Sequence, residues 1–253
     1  MGLLDRLRGG RKGNAGIPPA QEEMIEIAFC EGGFDKVAGL ARAAGTPGAA
    51  ELMSGRARES EALAVAASRE SPESPWPLLV LGGAQAMAER DAEACATLRR
   101  ALALGGLEAR TELLVWNGIK RLGGAPDPQD RGKVLGLFFE FAMEGGIDRL
   151  AVYADGRARY FNFSGAMIIW EAQAPFEPPV KELVRAAGKV PLPRATEVPP
   201  VMNGPIRIHF LTSSGRFIHE DMGEKKGEPC DTLIDGALSL IGKMIEFSMK
   251  SKG

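Results

Sequence analysis

Leu150-Ala151-Val152-Tyr153-Ala154-Asp155-Gly156-Arg157-Ala158-Arg159-Tyr160-Phe161-Asn162-Phe163 is the stretch whose reading decides the fold of the C-terminal half. Two strand-like runs, Leu150–Val152 and Ala158–Phe163, flank turn-forming residues and a glycine free to adopt positive φ. The pattern recurs as Thr212-Ser213-Ser214-Gly215-Arg216 between Ile206–Leu211 and Phe217–Met222. Two such hairpins predict an antiparallel sheet, and their register decides which side chains share a face.

Upstream, Lys133–Met143 (KVLGLFFEFAM) is apolar at both alternating sets of positions, as expected of a strand covered on both sides. Glu144-Gly145-Gly146 turns that strand into the first hairpin, and Ser164-Gly165 turns the chain again into Ala166–Glu171. Pro178-Pro179 opens a short helix with Val180, Leu183, Val184 and Ala187 on one face and Gly188 at its end. The proline-rich stretch 189–205 predicts a loop, and the second hairpin follows. A long helix capped by Asp231 then presents Leu233, Ile234, Ala237, Leu238, Ile241, Met244, Ile245 and Phe247 on a broad apolar face. The expected order is β-β-β-α-β-β-α, an α+β domain with helices on one sheet face and the other face wet or available for docking.

For the second hairpin a three-residue loop with Gly215 as the bulge segregates apolar from polar side chains. It pairs Arg216 with Thr212, Ile218 with Phe210 and His219 with His209. One face then holds Ile206, Ile208, Phe210, Ile218 and Met222. The other holds Arg207 opposite Asp221, the two histidines, and Leu211 opposite Phe217. A two-residue turn would instead place His209 and His219 on opposite faces. In the first hairpin, Tyr153, Arg157, Arg159 and Phe161 share one face, and Leu150, Val152, Ala158 and Tyr160 the other. Two chemistries follow from this register. His209, His219 and Asp221 form a candidate metal set, since two imidazoles and a carboxylate suit zinc or iron. Tyr153, Arg157, Arg159, Phe161, Arg207, Leu211 and Phe217 form a candidate docking face, rich in aromatic residues and arginine.

Residues 18–124 read as a helical domain after a tail at 1–17, with a linker at 125–132 (Ala125-Pro126-Asp127-Pro128 at its start) and the α+β domain at 133–253. Thr46-Pro47 and Ser74-Pro75 are start signals, and Gly105-Gly106 and Gly123-Gly124 stop signals. They bracket helices near 20–30, 34–44, 47–69, 75–89, 91–104 and 107–122. Short turns between these make helical hairpins. Within them, Leu78, Leu81-Gly82, Ala94, Leu98 and Ala101 lie at the spacings where residues 75–108 resemble a tetratricopeptide repeat. Leu78 stands at the usual Trp, Gln85 at the usual Tyr and Gly106 at the closing Pro. The resemblance implies a stack of helical hairpins.

Charge excludes little but lowers one class. Residues 1–125 carry 15 Lys+Arg against 16 Asp+Glu and the remainder 16 against 17, so neither half offers the basic stripe that nucleic-acid binding requires. The three cysteines, Cys30, Cys95 and Cys230, are far apart and suit a reducing cytosol. No phosphate-cradling loop, dinucleotide fingerprint or nucleophile elbow occurs, and no cofactor is expected. Leu3, Leu4 and Leu7 with Arg6, Arg8, Arg11 and Lys12 make residues 1–12 a candidate membrane-surface contact.

The segments Asp148–Arg157 and Phe163–Glu171 are similar to ones found in bacterial proteins of unassigned function, over much of residues 133–222. That resemblance implies a bacterial cytosolic origin and brings no activity with it. The expectation is therefore a non-enzymatic protein-binding or adaptor protein using its helical surface and open sheet face, with a protein partner. The alternatives are a metal-assisted hydrolase built on His209, His219 and Asp221, and a peripheral membrane protein held by residues 1–12.

Overall fold

In the helical half several turns are marked by glycines at positive φ, among them Gly45, Gly55, Gly105 and Gly123. The computed structural model describes residues 34–192, 202, 204–221 and 230–250. These residues fall into two compact units that part between Arg131 and Gly132. The helical unit holds α1 (Phe34–Ala43), α2 (Ala49–Met53), α3 (Ala57–Glu70), α4 (Pro75–Met87), α5 (Asp91–Leu104) and α6 (Ala109–Arg121). The expected single helix over 47–69 is two, broken at Ser54-Gly55-Arg56, where Gly55 holds φ +75°. Ser74 and Pro75 start α4, and Gly105 ends α5, as the sequence predicts. The helix expected over 20–30 lies outside the described residues.

The centre of this unit is α4, which is buried over Leu78–Gln85 and packs against α3 on one side and α5 on the other. Small residues set the spacing. A Cβ on Gly82 would stand 2.7 Å from the Leu98 side chain, and one on Gly83 2.7 Å from Leu52. Ala94, Leu98 and Ala101 of α5 are completely buried. Close helix contacts of this kind require glycine and alanine, because larger groups would hold the backbones apart.

The second unit holds β1 (Val134–Met143), β2 (Gly146–Tyr153), β3 (Ala158–Phe161), β4 (Met167–Trp170), α7 (Glu177–Ala187), β5 (Ile206–Thr212), β6 (Gly215–Asp221) and α8 (Asp231–Lys250). The class is α+β, with four strands before α7 rather than three. The sheet is wholly antiparallel in the order β4-β3-β2-β1-β5-β6, so β1 lies between β2 and the late-arriving β5. Leu137, Phe139, Phe141, Leu150, Val152, Ala158, Tyr160, Ile206, Ile208 and Phe210 point to one face. There they pack with Val180, Leu183 and Val184 of α7 and Leu233, Ile234, Ala237, Ile241 and Met244 of α8.

The hairpin loops differ in length. Between β2 and β3, Tyr153 N–H donates to Arg157 C=O (2.9 Å) and Gly156 N–H to Tyr153 C=O (2.9 Å), with Gly156 at φ +94°. This is the expected three-residue loop closed by a glycine bulge. The β5–β6 turn is tighter and overturns the expected register: Thr212 pairs Gly215, Phe210 pairs Phe217, His209 pairs Ile218 and Ile208 pairs His219. The cause is the Thr212 hydroxyl, which accepts from Ser214 N–H (3.1 Å) and donates to Gly215 C=O (2.8 Å), closing the turn over Ser213-Ser214. Ser213 N–H also reaches Lys133 C=O (3.2 Å) and Ser214 Oγ accepts from Gly132 N–H (3.2 Å), anchoring the turn to the start of β1.

Gly48, before α2, holds φ +85°, and a Cβ there would stand 2.6 Å from Ser60 C=O. Gly48→Ala is expected to lower stability by more than about 1 kcal/mol, read as a lower urea midpoint with unchanged slope.

Candidate functional site

Register places a row of alternating charges across the second face of the sheet, the one turned away from α7 and α8. Arg149 of β2 pairs Glu140 of β1, Glu140 pairs Arg207 of β5, and Arg207 pairs Glu220 of β6. Each cross-strand neighbour therefore has the opposite sign, the favourable arrangement on a sheet face. Arg149 Nε donates to Glu140 Oε1 (3.3 Å) and Arg207 Nη1 to Glu140 Oε2 (3.4 Å). Arg207 also reaches Glu220 Oε1 through Nε (2.8 Å) and Nη2 (2.5 Å). His209, one pair further along β5, meets Glu140 Oε2 through Nε2 (3.1 Å) and sets its ring edge-on to Phe138, centroids 5.6 Å apart. A carboxylate only accepts, so Nε2 carries the proton.

This row is buried. Arg149, Arg207 and His209 are 4%, 3% and 1% exposed, and Glu140 9%. Phe138, Ala151, Tyr153 and Leu211 on the same face are also closed to solvent. The middle of the second face is therefore not wet, whereas its β4 edge keeps Met167 and Ile169 exposed.

Burial is the largest influence on both titrating groups. For His209 it favours the neutral ring and, helped by the charges of Arg216 and Arg207, outweighs the Glu140 carboxylate, so the histidine titrates below its usual range. For Glu140 burial pushes upward. The hydrogen bond from His209 and the positive charges around it, Arg149 and Arg207 among them, outweigh that push, and the carboxyl titrates below its usual range. Glu140 is thus ionised and His209 neutral near pH 7.

The candidate metal set does not assemble. His209 lies on the second face, whereas His219 and Asp221, paired with Ile208 and Ile206, lie on the helix-packed face. The two-residue turn at Ser213-Ser214 is the reason. Among the described residues no group of three His, Cys, Asp or Glu side chains is placed to hold a metal ion.

Of the candidate docking residues, Tyr153, Arg159, Phe161, Arg207 and Leu211 do share the second face. Tyr153, Phe161, Arg207 and Leu211 are buried there, which removes them from a free surface. Phe217 is on the other face, opposite Phe210, half-buried against the helix-packed core. Arg157 lies just before β3 with its guanidinium on Asp155 Oδ2 (3.0 Å) and Glu171 Oε2 (2.9 Å), while Arg159 reaches Glu171 Oε1 (3.6 Å). The arginines are therefore neutralised by local carboxylates. Residues 1–12, the candidate lipid contact, lie outside the described residues, and so does Cys30.

Sequence reasoning missed Glu140. Its signal is a lone carboxylate inside the apolar run of β1, at the parity of Arg149 and Arg207 once the strands are aligned. It also missed the tie on the helix-packed face, where Asp148 accepts from the Tyr160 hydroxyl (2.5 Å) and from Phe163 N–H (2.9 Å). Burial and the Asp148 charge push the Tyr160 phenol well above its usual range, so it remains a hydrogen-bond donor.

Two outcomes follow from the row. Glu140→Gln leaves two buried guanidinium groups without their shared anion and is expected to cost about 3–5 kcal/mol, measured by urea unfolding. Both titrations act in the same direction with pH. A folded His209 titrating below its ordinary 6.5 withholds a proton that the unfolded chain binds, so stability falls as pH drops below about 6.5. Glu140, ordinarily at 4.5, adds stability that is present above that value and is lost as pH falls through its lower folded value. Thermal unfolding against pH in wild type and His209→Gln should show the decline beginning below pH 6.5 in the wild type and the upper part of it flattened in the variant.

No family model, curated protein or solved structure matches this chain.

Proposed function

We propose that the chain is a non-enzymatic protein-binding module of the bacterial cytosol that engages its partner through the helical unit. The observation that carries this reading is the stack of α3, α4 and α5. Gly82 and the completely buried Ala94, Leu98 and Ala101 bring α4 and α5 together, and α3 packs on α4. Leu63, Met87 and Leu104, on α3, α4 and α5, stay about 42–46% exposed. Stacked helical hairpins present extended surfaces for polypeptide ligands, and residues 75–108 resemble a tetratricopeptide repeat at those packing positions. Leucine and methionine are the side chains that adapt to an incoming apolar residue.

The sheet supports the same reading by elimination of its charged groups. Glu140, His209, Arg149 and Arg207 are buried and committed to one another, so they act on the fold rather than on a substrate. The described thiols, Cys95 and Cys230, are buried and unbridged, in keeping with a reducing compartment. No helix among the described residues is long and apolar enough to cross a membrane.

The test is capture of bacterial cytosolic proteins on the immobilised full chain, against a variant carrying Leu63→Asp and Leu104→Asp with wild-type thermal unfolding. A partner whose affinity falls at least roughly tenfold in the variant is the expected result. Identical capture by both chains overturns the role of the helical surface.

A further inference from the structure

The two edges of the sheet are built differently. The β6 edge carries Arg216, His219, Glu220 and Asp221, the charged residues with which proteins blunt strand-to-strand association. The β4 edge reads Met167-Ile168-Ile169-Trp170, with neither charge nor proline. Met167 and Ile169 are each 44% exposed on the second face. On the helix-packed face the Trp170 ring meets Phe176 and Phe247 edge-on, at centroid distances of 4.4 and 5.2 Å, and Phe247 is itself 44% exposed. All the exposed large apolar side chains described in this unit come from the β3–β4 turn, β4 and the end of α8: Phe163, Met167, Ile169, Phe247 and Met249.

Backbone parity identifies the groups at this edge. Asn162 N–H donates to Ala166 C=O (2.9 Å), which makes Asn162 and Ala166 a hydrogen-bonded pair. Alternation along the β3–β4 ladder then turns the N–H and C=O of Ile168 and Trp170 toward β3. Those of Met167 and Ile169 point outward.

We propose that β4 pairs antiparallel with β4 of a second copy of this chain, about a two-fold axis at Ile168, joining two six-stranded sheets into one. In that register Met167 meets Ile169 of the second copy and Ile169 meets Met167, so each outward N–H and C=O finds its complement in four hydrogen bonds. The side chains brought together are apolar on both faces. The nearest charge, Glu171, comes opposite Gly165 rather than another carboxylate, so pairing like with like creates no repulsion. A two-fold interface needs this self-complementarity, and a strand with a charge in its centre could not supply it. A foreign extended strand is the alternative occupant, and it would leave the isolated chain monomeric.

Sedimentation equilibrium of the full chain over a concentration series tests this, with two variants. Ile169→Lys places a charge on an exposed side chain and is expected to weaken dimerisation at least roughly tenfold while thermal unfolding stays unchanged. Ile168→Cys puts a thiol opposite its own symmetry mate in a non-hydrogen-bonded pair, and mild oxidation should give a covalent dimer that the wild-type chain does not. A wild-type chain that stays monomeric to sub-millimolar concentration overturns the proposal. So does a dimer that Ile169→Lys leaves intact, or one that Ile168→Cys fails to cross-link.

Discussion

The Arg149–Glu140–Arg207–Glu220 row is the constraint on which the α+β unit depends. It runs across four adjacent strands, and each link joins residues that are direct partners in the ladder. A slip of one residue in any pairing would turn a guanidinium or carboxylate toward the cluster formed by Phe139, Leu150, Val180 and Leu233. Buried ion pairs add little net stability over apolar residues of the same volume, whereas stranding one member is costly. We therefore read the row as an arrangement that rejects wrong registers more than one that deepens the right one. His209 extends it, because its neutral ring gives Glu140 a further donor without another full charge in the interior.

Burial of the middle of both sheet faces explains which parts of the fold were legible in the sequence. The turn glycines and the apolar stripe of α7 follow from period and composition and stand where the sequence places them. A fourth strand precedes α7, however, and the stripe of α8 takes in Leu240 and leaves Phe247 exposed. The faces of β2 and β3 were legible for the same reason, since Gly156 fixes a three-residue loop. The β5–β6 register was not. Choosing it by separating apolar from polar side chains presumes that one face is wet. Here the middle of both faces is buried, and Phe217 or Ile218 could serve either one. What decides the turn is a hydroxyl: Thr212 satisfies a donor and an acceptor within the loop. The candidate site failed with the register, since moving β6 by one residue parts His209 from His219. Glu140 was visible as a lone carboxylate in an apolar run, but its partners come from strands on either side and only the ladder brings them together.

The helical unit shows the opposite case. Helix ends were marked locally by Ser74-Pro75 and Gly105, so they could be read without knowing the packing. The interruption at Ser54-Gly55 was not anticipated, because one glycine in a helical pattern is an ambiguous signal. In α4 the run Leu78-Leu79-Val80-Leu81-Gly82-Gly83 has no polar side, which fits a helix flanked by neighbours on more than one side. Gly82 and Gly83 there are not stops. They are the places where Leu98 and Leu52 press against the backbone.

The position of β1 bears on how the chain is made. Its second neighbour is β5, and the contacts from Glu140 to Arg207 and His209 span 67 and 69 residues of sequence. As the polypeptide leaves the ribosome, the β1–β4 meander can form at once, but one flank of the most apolar strand stays bare until Thr212 has emerged. Such an interval exposes an unsatisfied strand rim to any neighbouring nascent chain. The length of the β4–β5 connection therefore sets how long that rim waits for its partner strand.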